Sequence, residues 1–184
     1  GSYVQVYYHQ TLGKDTLWFN CPEAGHITSA ADAESVTEMI LYSRKSAMRI
    51  MSFLRERFPG FGDAYIQSFA DIPGIRESYR LDGEYIMTEK DIEARCRFED
   101  AVAQSAYPID IHNEKNLVLI HMDPGEYYEI PYRCMRPREV DNLLVAGRCV
   151  SATFAAQSSM RIQLTCMALG EAAGIAAAMS PQVK

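Results

Sequence analysis

Two arginines on one strand face are the first chemistry that the sequence offers. Residues 75–81 (IRESYRL) alternate, and a period of two places Arg76, Ser78 and Arg80 on one side, opposite Ile75, Tyr79 and Leu81. Two guanidiniums so arranged clamp a carboxylate or phosphate through paired N–H donors. The plainer reading is a solvated face whose arginines pair with Glu77 or Glu84. In residues 107–112 (YPIDIH) the same rule sets Asp110 beside His112, away from Ile109 and Ile111. A carboxylate next to an imidazole fixes its tautomer and raises its basicity, as proton transfer requires. A lone histidine near a strand end is as readily structural. His121 lies in another apolar run, His9 and His26 read as surface or loop residues, and none of the four has metal-ligand spacing, so no metal site is expected.

The C-terminal segment is the most informative. Residues 142–148 (NLLVAGR) read as strand, glycine, arginine. Gly147 lets a ligand approach the backbone, and Arg148 brings charge to the strand's end. Ser158, Ser159 and Arg161 follow, then Thr165 near the start of a small-residue helix. The N-terminus of that helix presents unpaired N–H groups to an anion or carbonyl. Here the plainer reading is a core helix of small residues.

These groups need elements to hold them. Residues 3–8 and 16–19 read as two strands joined through a turn at Gly13 and Asp15. Ser35 and Glu38 have capping-box spacing, and Val36, Ile40, Ala47, Met51, Leu54 and Phe58 mark one face of a helix of about 23 residues that Pro59-Gly60 stops. Beyond it, residues 65–69 read as a strand. Residues 75–81 and 84–87 flank Asp82-Gly83, the dipeptide of a tight hairpin turn. Thr88 and Asp91 open a short helix running toward Val102, and strands follow over 107–112, 117–122 and 127–133. The continuous apolar run 142–147 predicts a strand buried on both faces, and residues 164–179 a helix in which Gly170 and Gly174 permit close packing on a sheet. The expected fold class is α+β. Antiparallel material with a long helix precedes a single strand and helix that look like the closing unit of a parallel sheet.

With 184 residues, 48% hydrophobic and 23% charged, the chain suits one soluble domain. A net charge of −6 argues against nucleic-acid and anionic-membrane partners. No apolar run reaches the roughly 18 residues that span a bilayer. No signal peptide opens the chain, and Gly1-Ser2 reads as a cloning remnant. Five separated cysteines without a CxxC predict reduced thiols, which favours a cytoplasmic setting.

Six collinear stretches resemble the C-terminal half of the FAD-dependent oxidoreductases related to the fumarate-reductase-like flavoproteins. They are 74–88 (GIRESYRLDGEYIMT), 97–101 (RFEDA), 107–112, 129–133 (EIPYR), 141–149 (DNLLVAGRC) and 151–174. Some members of that family carry the label xanthan (polysaccharide) lyase, which the flavin-type motifs do not support. The resemblance implies a substrate- and flavin-covering domain over residues 3–140 and the last strand and helix of a Rossmann-type FAD domain over 141–184. It implies FAD contacts at Gly147, Arg148, Arg161, Leu164, Thr165 and Cys166. Arg76, His112 and Arg161 are the candidates for catalysis, with hydride passing from a small-molecule substrate to flavin. Phe154 stands where many relatives have histidine, and Leu164 where they have proline. The GxGxxG fingerprint does not occur. Its nearest approach, residues 60–65 (GFGDAY), lacks the third glycine and follows a helix. The expectation is therefore a C-terminal portion that binds FAD weakly by itself. One alternative is a non-catalytic binding module whose closing strand and helix pair with a second copy. Another is a lyase acting on an acidic polysaccharide through Arg76, Arg80 and His112.

Overall fold

The computed structural model describes residues 6–13, 15–22, 29–112 and 117–179, with the backbone alone described at 112 and 117–119. The chain divides into two compact units, Gly1–Ile75 and Arg76–Lys184.

The first unit begins with an antiparallel hairpin of β1 (Tyr7–Gln10) and β2 (Leu17–Asn20), in register from Tyr7 opposite Asn20 to Gln10 opposite Leu17. The expected pairing is present but displaced toward the turn, and residues 3–5 lie outside the described residues. Cross-strand rings hold it, with Tyr8 6.0 Å from Phe19 and His9 5.6 Å from Trp18. α1 (Ala33–Arg57) is the expected long helix, 25 residues and roughly 37 Å. Its cap is Asp32, whose carboxylate accepts the Ser35 N–H at 2.7 Å, and not the Ser35–Glu38 box. Ser35 is buried inside the first turn with its Oγ accepting from Ser29 N–H, so the loop before the helix claims the hydroxyl. An acidic cap also suits the positive end of the helix. Met39 and Leu54 are buried, while Phe58 is half exposed and packs edge-on against Phe53. No strand forms over 65–69: the segment finds no ladder partner among the described residues, and Phe69 instead receives the Arg44 guanidinium on its ring at 5.7 Å.

In the second unit α2 (Glu89–Glu93) has the expected cap, a box in which Thr88 and Asp91 satisfy each other's backbone N–H groups. It does not run on toward Val102. Arg95 adopts φ 54°, and its guanidinium donates to the carbonyls of Ile92 and Glu93 at 3.0 and 2.9 Å, closing the helix end. The chain then enters β3 (Ala101–Ser105), a strand that the helical reading hid. β3 pairs antiparallel with β6 (Tyr128–Pro131), and β4 (Ile109–His112) with β5 (Leu117–Ile120). Among the described residues, three small antiparallel sheets with helices make an α+β fold.

The hairpin expected about Asp82-Gly83 is absent. Residues 81–87 run extended between two partners, with Glu84 and Tyr85 N–H bonded to Arg136 and Arg133 carbonyls, and Leu81 and Met87 N–H bonded to those of Cys149 and Ser151. No strand forms over 75–81 either. Between a turn at Asn142 (φ 56°) and the 3₁₀ turn that Gly147 opens, residues 143–146 form no ladder among the described residues. Val145 N–H reaches Met135 O, and Leu143 remains 47% exposed, so the segment is not a strand buried on both faces. α3 (Phe154–Met160), capped by Thr153, went unpredicted; α4 (Gln163–Met179) is the expected closing helix. Gly170 and Gly174 face open space, so neither serves close packing here. No single described helix is long and apolar enough to cross a membrane, and α3 and α4 meet at 90°. The core of this unit gathers Met87, Ile92, Ile109, Tyr128, Ile130 and Leu169.

Asp100 sets an acid limit on this unit. Its carboxylate takes Arg133 Nε at 2.9 Å and Nη2 at 3.2 Å, and that pairing holds its pKa below the usual carboxylate range. Because the folded pKa is depressed, the stabilisation is complete above the unfolded value of about 3.9 and disappears as pH falls through the folded one. Asp100→Asn is expected to lower the urea midpoint at pH 7, with the gap to wild type closing as pH falls below the unfolded value. An undiminished gap at low pH would contradict the assignment.

Candidate functional site

Gly147 opens a single 3₁₀ turn, Gly147–Cys149, at φ +85°, a conformation only glycine adopts without strain. A side chain there would meet open space, so the backbone at Gly147 is approachable. Arg148 follows with an exposed side chain, and its carbonyl turns inward. α3 supplies what receives it. Gln157, 1% exposed, donates from Nε2 to Arg148 O at 3.3 Å and to Arg76 O at 3.1 Å. Its backbone carbonyl accepts the Arg161 N–H at 3.0 Å. Three arginines singled out in the sequence are thus hydrogen-bonded to one buried glutamine.

Arg161 caps α3 and turns back onto β4. Its Nη2 lies 3.3 Å from Asp110 O and 3.9 Å from Asp110 Oδ2, a loose pair with both side chains 16% exposed. Burial pulls the guanidinium pKa down, and the charge of Arg76 pulls it further; Asp110 opposes both. The β4 backbone docks on the same helix through Asp110 N–H to Ser158 Oγ at 3.1 Å. Arg76 itself is exposed, while Arg80 is ion-paired with Glu77, so the two arginines form no clamp. His112 ends β4 opposite Leu117, and its side chain lies outside the described atoms.

The start of α4 divides its three predicted residues. Leu164 is 75% exposed. Cys166 is half-buried, its N–H bonded to Ile162 O and its thiol pKa raised by burial, with Arg148 near enough to oppose the rise. Thr165 turns into the core and donates to Ser105 Oγ at 3.2 Å. Ser159 gives its one hydroxyl proton to Tyr107 O at 2.6 Å, so Tyr128 must be the donor in its 2.7 Å contact with Ser159. This buried chain of hydroxyls locks β3, β6, α3 and α4 together beneath the arginines. Thr165 is buried, and its hydroxyl is committed to Ser105.

The family model for FAD dependent oxidoreductases matches residues 3–184. The chain belongs to that family. No curated protein and no solved structure matches it. As a member of the FAD-dependent oxidoreductases, it is expected to set positive charge and approachable backbone against an electron-rich cofactor. The Gly147 backbone, Arg148, Arg161 and the first turn of α4 fit that requirement. Among the described residues no cluster of His, Cys, Asp and Glu side chains is arranged to hold a metal. Gln157 was missed in the sequence. Its signal was a single long amide within a run of small residues, FAAQSSM.

Proposed function

We propose that the chain is the C-terminal portion of a FAD-dependent oxidoreductase, with residues 3–140 covering the flavin and substrate and 141–184 closing the FAD domain. The observation that carries this reading is the convergence of Arg76, Arg148 and Arg161 on Gln157, in a chain whose match to the family extends over residues 3–184. FAD, when bound, supplies the acceptor for a hydride leaving the substrate. Arg148 and the Gly147 backbone hold the cofactor's anionic part. Arg161, with the first-turn N–H groups of α4, stabilises negative charge at the ring. Arg76 orients a small-molecule substrate, and His112 moves its proton.

Leu164, Met167, Ile175 and Met179 leave α4 with exposed apolar side chains. In this reading the remainder of the FAD domain covers them. A second copy of the chain is the alternative cover. Two purified samples test the reading: the complete gene product and the 184-residue chain, each mixed with FAD and freed of unbound ligand. The complete product is expected to retain a flavin spectrum, and the 184-residue chain to retain little. Tight stoichiometric uptake by the short chain would overturn the division of the site. A complete product without flavin affinity would overturn the flavin reading itself.

A further inference from the structure

Gln157 makes an arrangement that ordinary core packing does not call for. Its two Nε2 hydrogens go to the carbonyls of Arg76 and Arg148, residues 81 and 9 positions away, while its main-chain carbonyl makes the ordinary helix-end bond to the Arg161 N–H. Its Oε1 is buried without a partner among the described residues. Turning the amide over does not relieve this, because Oε1 would then face two carbonyl oxygens. A buried acceptor left bare is a standing cost. An apolar side chain of the same length, such as methionine, fills the space without it. What methionine cannot do is fasten the Arg76 and Arg148 backbones to the helix that ends in Arg161.

We propose that Gln157 is a positioning residue for the flavin and substrate site, its side chain tying the backbones of Arg76 and Arg148 to the helix that ends in Arg161. The proposal rests on the flavin reading above and names a residue outside it. Stability and function separate under it. Gln157→Met removes the bare acceptor but takes the donor from the Arg76 and Arg148 carbonyls, so the melting temperature is expected to fall by only a few degrees, less than the change at the site. The ligand-binding geometry is lost all the same.

The experiment uses the complete gene product, wild type against Gln157→Met and Gln157→Glu. Without FAD, amide exchange of residues 76–81 and 147–150 is expected to quicken about tenfold in Gln157→Met. FAD binding is expected to weaken about tenfold. Gln157→Glu adds a readout that packing alone does not move. As a carboxylate it faces two carbonyl oxygens. Once protonated it donates to one of them, so its FAD affinity recovers as pH falls while that of Gln157→Met does not. Unchanged exchange, or quickened exchange with undiminished FAD affinity, overturns the proposal. So does a large fall in melting temperature with FAD affinity intact. Absence of FAD binding in wild type sinks the flavin reading and the functional half of the proposal, while the exchange comparison still decides whether Gln157 fastens the two segments.

Discussion

Gly83→Ala is expected to destabilise the second unit by about 2–4 kcal/mol, a fall in melting temperature of roughly 5–12 °C. A Cβ at this position would stand 2.6 Å from Ser151 Cβ, 3.0 Å from Ser151 Oγ and 3.2 Å from Arg133 O. None of these atoms is the free end of a flexible side chain. Ser151 is fully buried; its N–H is bonded to Cys134 O, its carbonyl to Met87 N–H, and its Oγ accepts the Gly83 N–H at 3.1 Å. Arg133 O already accepts from Tyr85 N–H. Relief of the clash therefore moves backbone and breaks ladder-like bonds on both sides of residues 81–87. The displaced segment includes the Leu81–Cys149 link, one residue from Arg148, so ligand binding is expected to weaken along with stability. Gly74→Ala is the control, since a Cβ there meets nothing and its backbone is not left-handed. Thermal and urea melts decide the matter. A Gly83→Ala protein as stable as Gly74→Ala would show that the two segments do not interleave as described.

Gly83 also shows where sequence reasoning succeeds and where it stops. The α1 stop, the Thr88–Asp91 box, the β1–β2 pairing, the strands β4 and β5 and the helix α4 were legible because each is specified within a few residues. Alternation over 75–87 suggests strands that do not form: only Gly83 and Met87 make β-bridges to other described segments, and a period of two does not say which segment supplies the hydrogen bonds. The partners of residues 81–87 are 133–138 and 149–153, some fifty and seventy residues on, and no local signal encodes them. Asp82-Gly83 has two physical explanations, a left-handed turn or a missing Cβ, and the second holds here. The apolar run at 142–147 is not the strand its composition suggests: Asn142 and Gly147 both have positive φ, and it finds no ladder among the described residues. At the site, the arginines could be picked out by charge and spacing. Their common anchor could not, because a neutral amide on an unpredicted helix carries no such mark.

Arg161→Met carries the largest functional consequence: kcat of the flavin-loaded complete protein is expected to fall about 100- to 1,000-fold, the loss seen when one preorganised charge-stabilising donor is removed. The guanidinium is held against its local interest. Burial and the Arg76 charge both disfavour its charged form, and the Asp110 carboxylate repays this only across 3.9 Å. Tyr107 and Glu77 also favour the charge, and a half-buried cation so placed is expected to serve a bound anionic ligand as well as the fold. Methionine keeps the unbranched apolar stem and removes the charge. Because Arg161→Met leaves Asp110 without this partner, Arg161→Met/Asp110→Asn is the fair comparison for stability, and its urea midpoint is expected to equal or exceed that of wild type. Arg161→Lys is expected to recover only part of the rate, since a compact ammonium cannot reproduce the planar donor set that reaches Asp110 O. The two readouts move in opposite directions if Arg161 serves the reaction. An active double variant that melts well below wild type would instead make Arg161 a structural cap of α3.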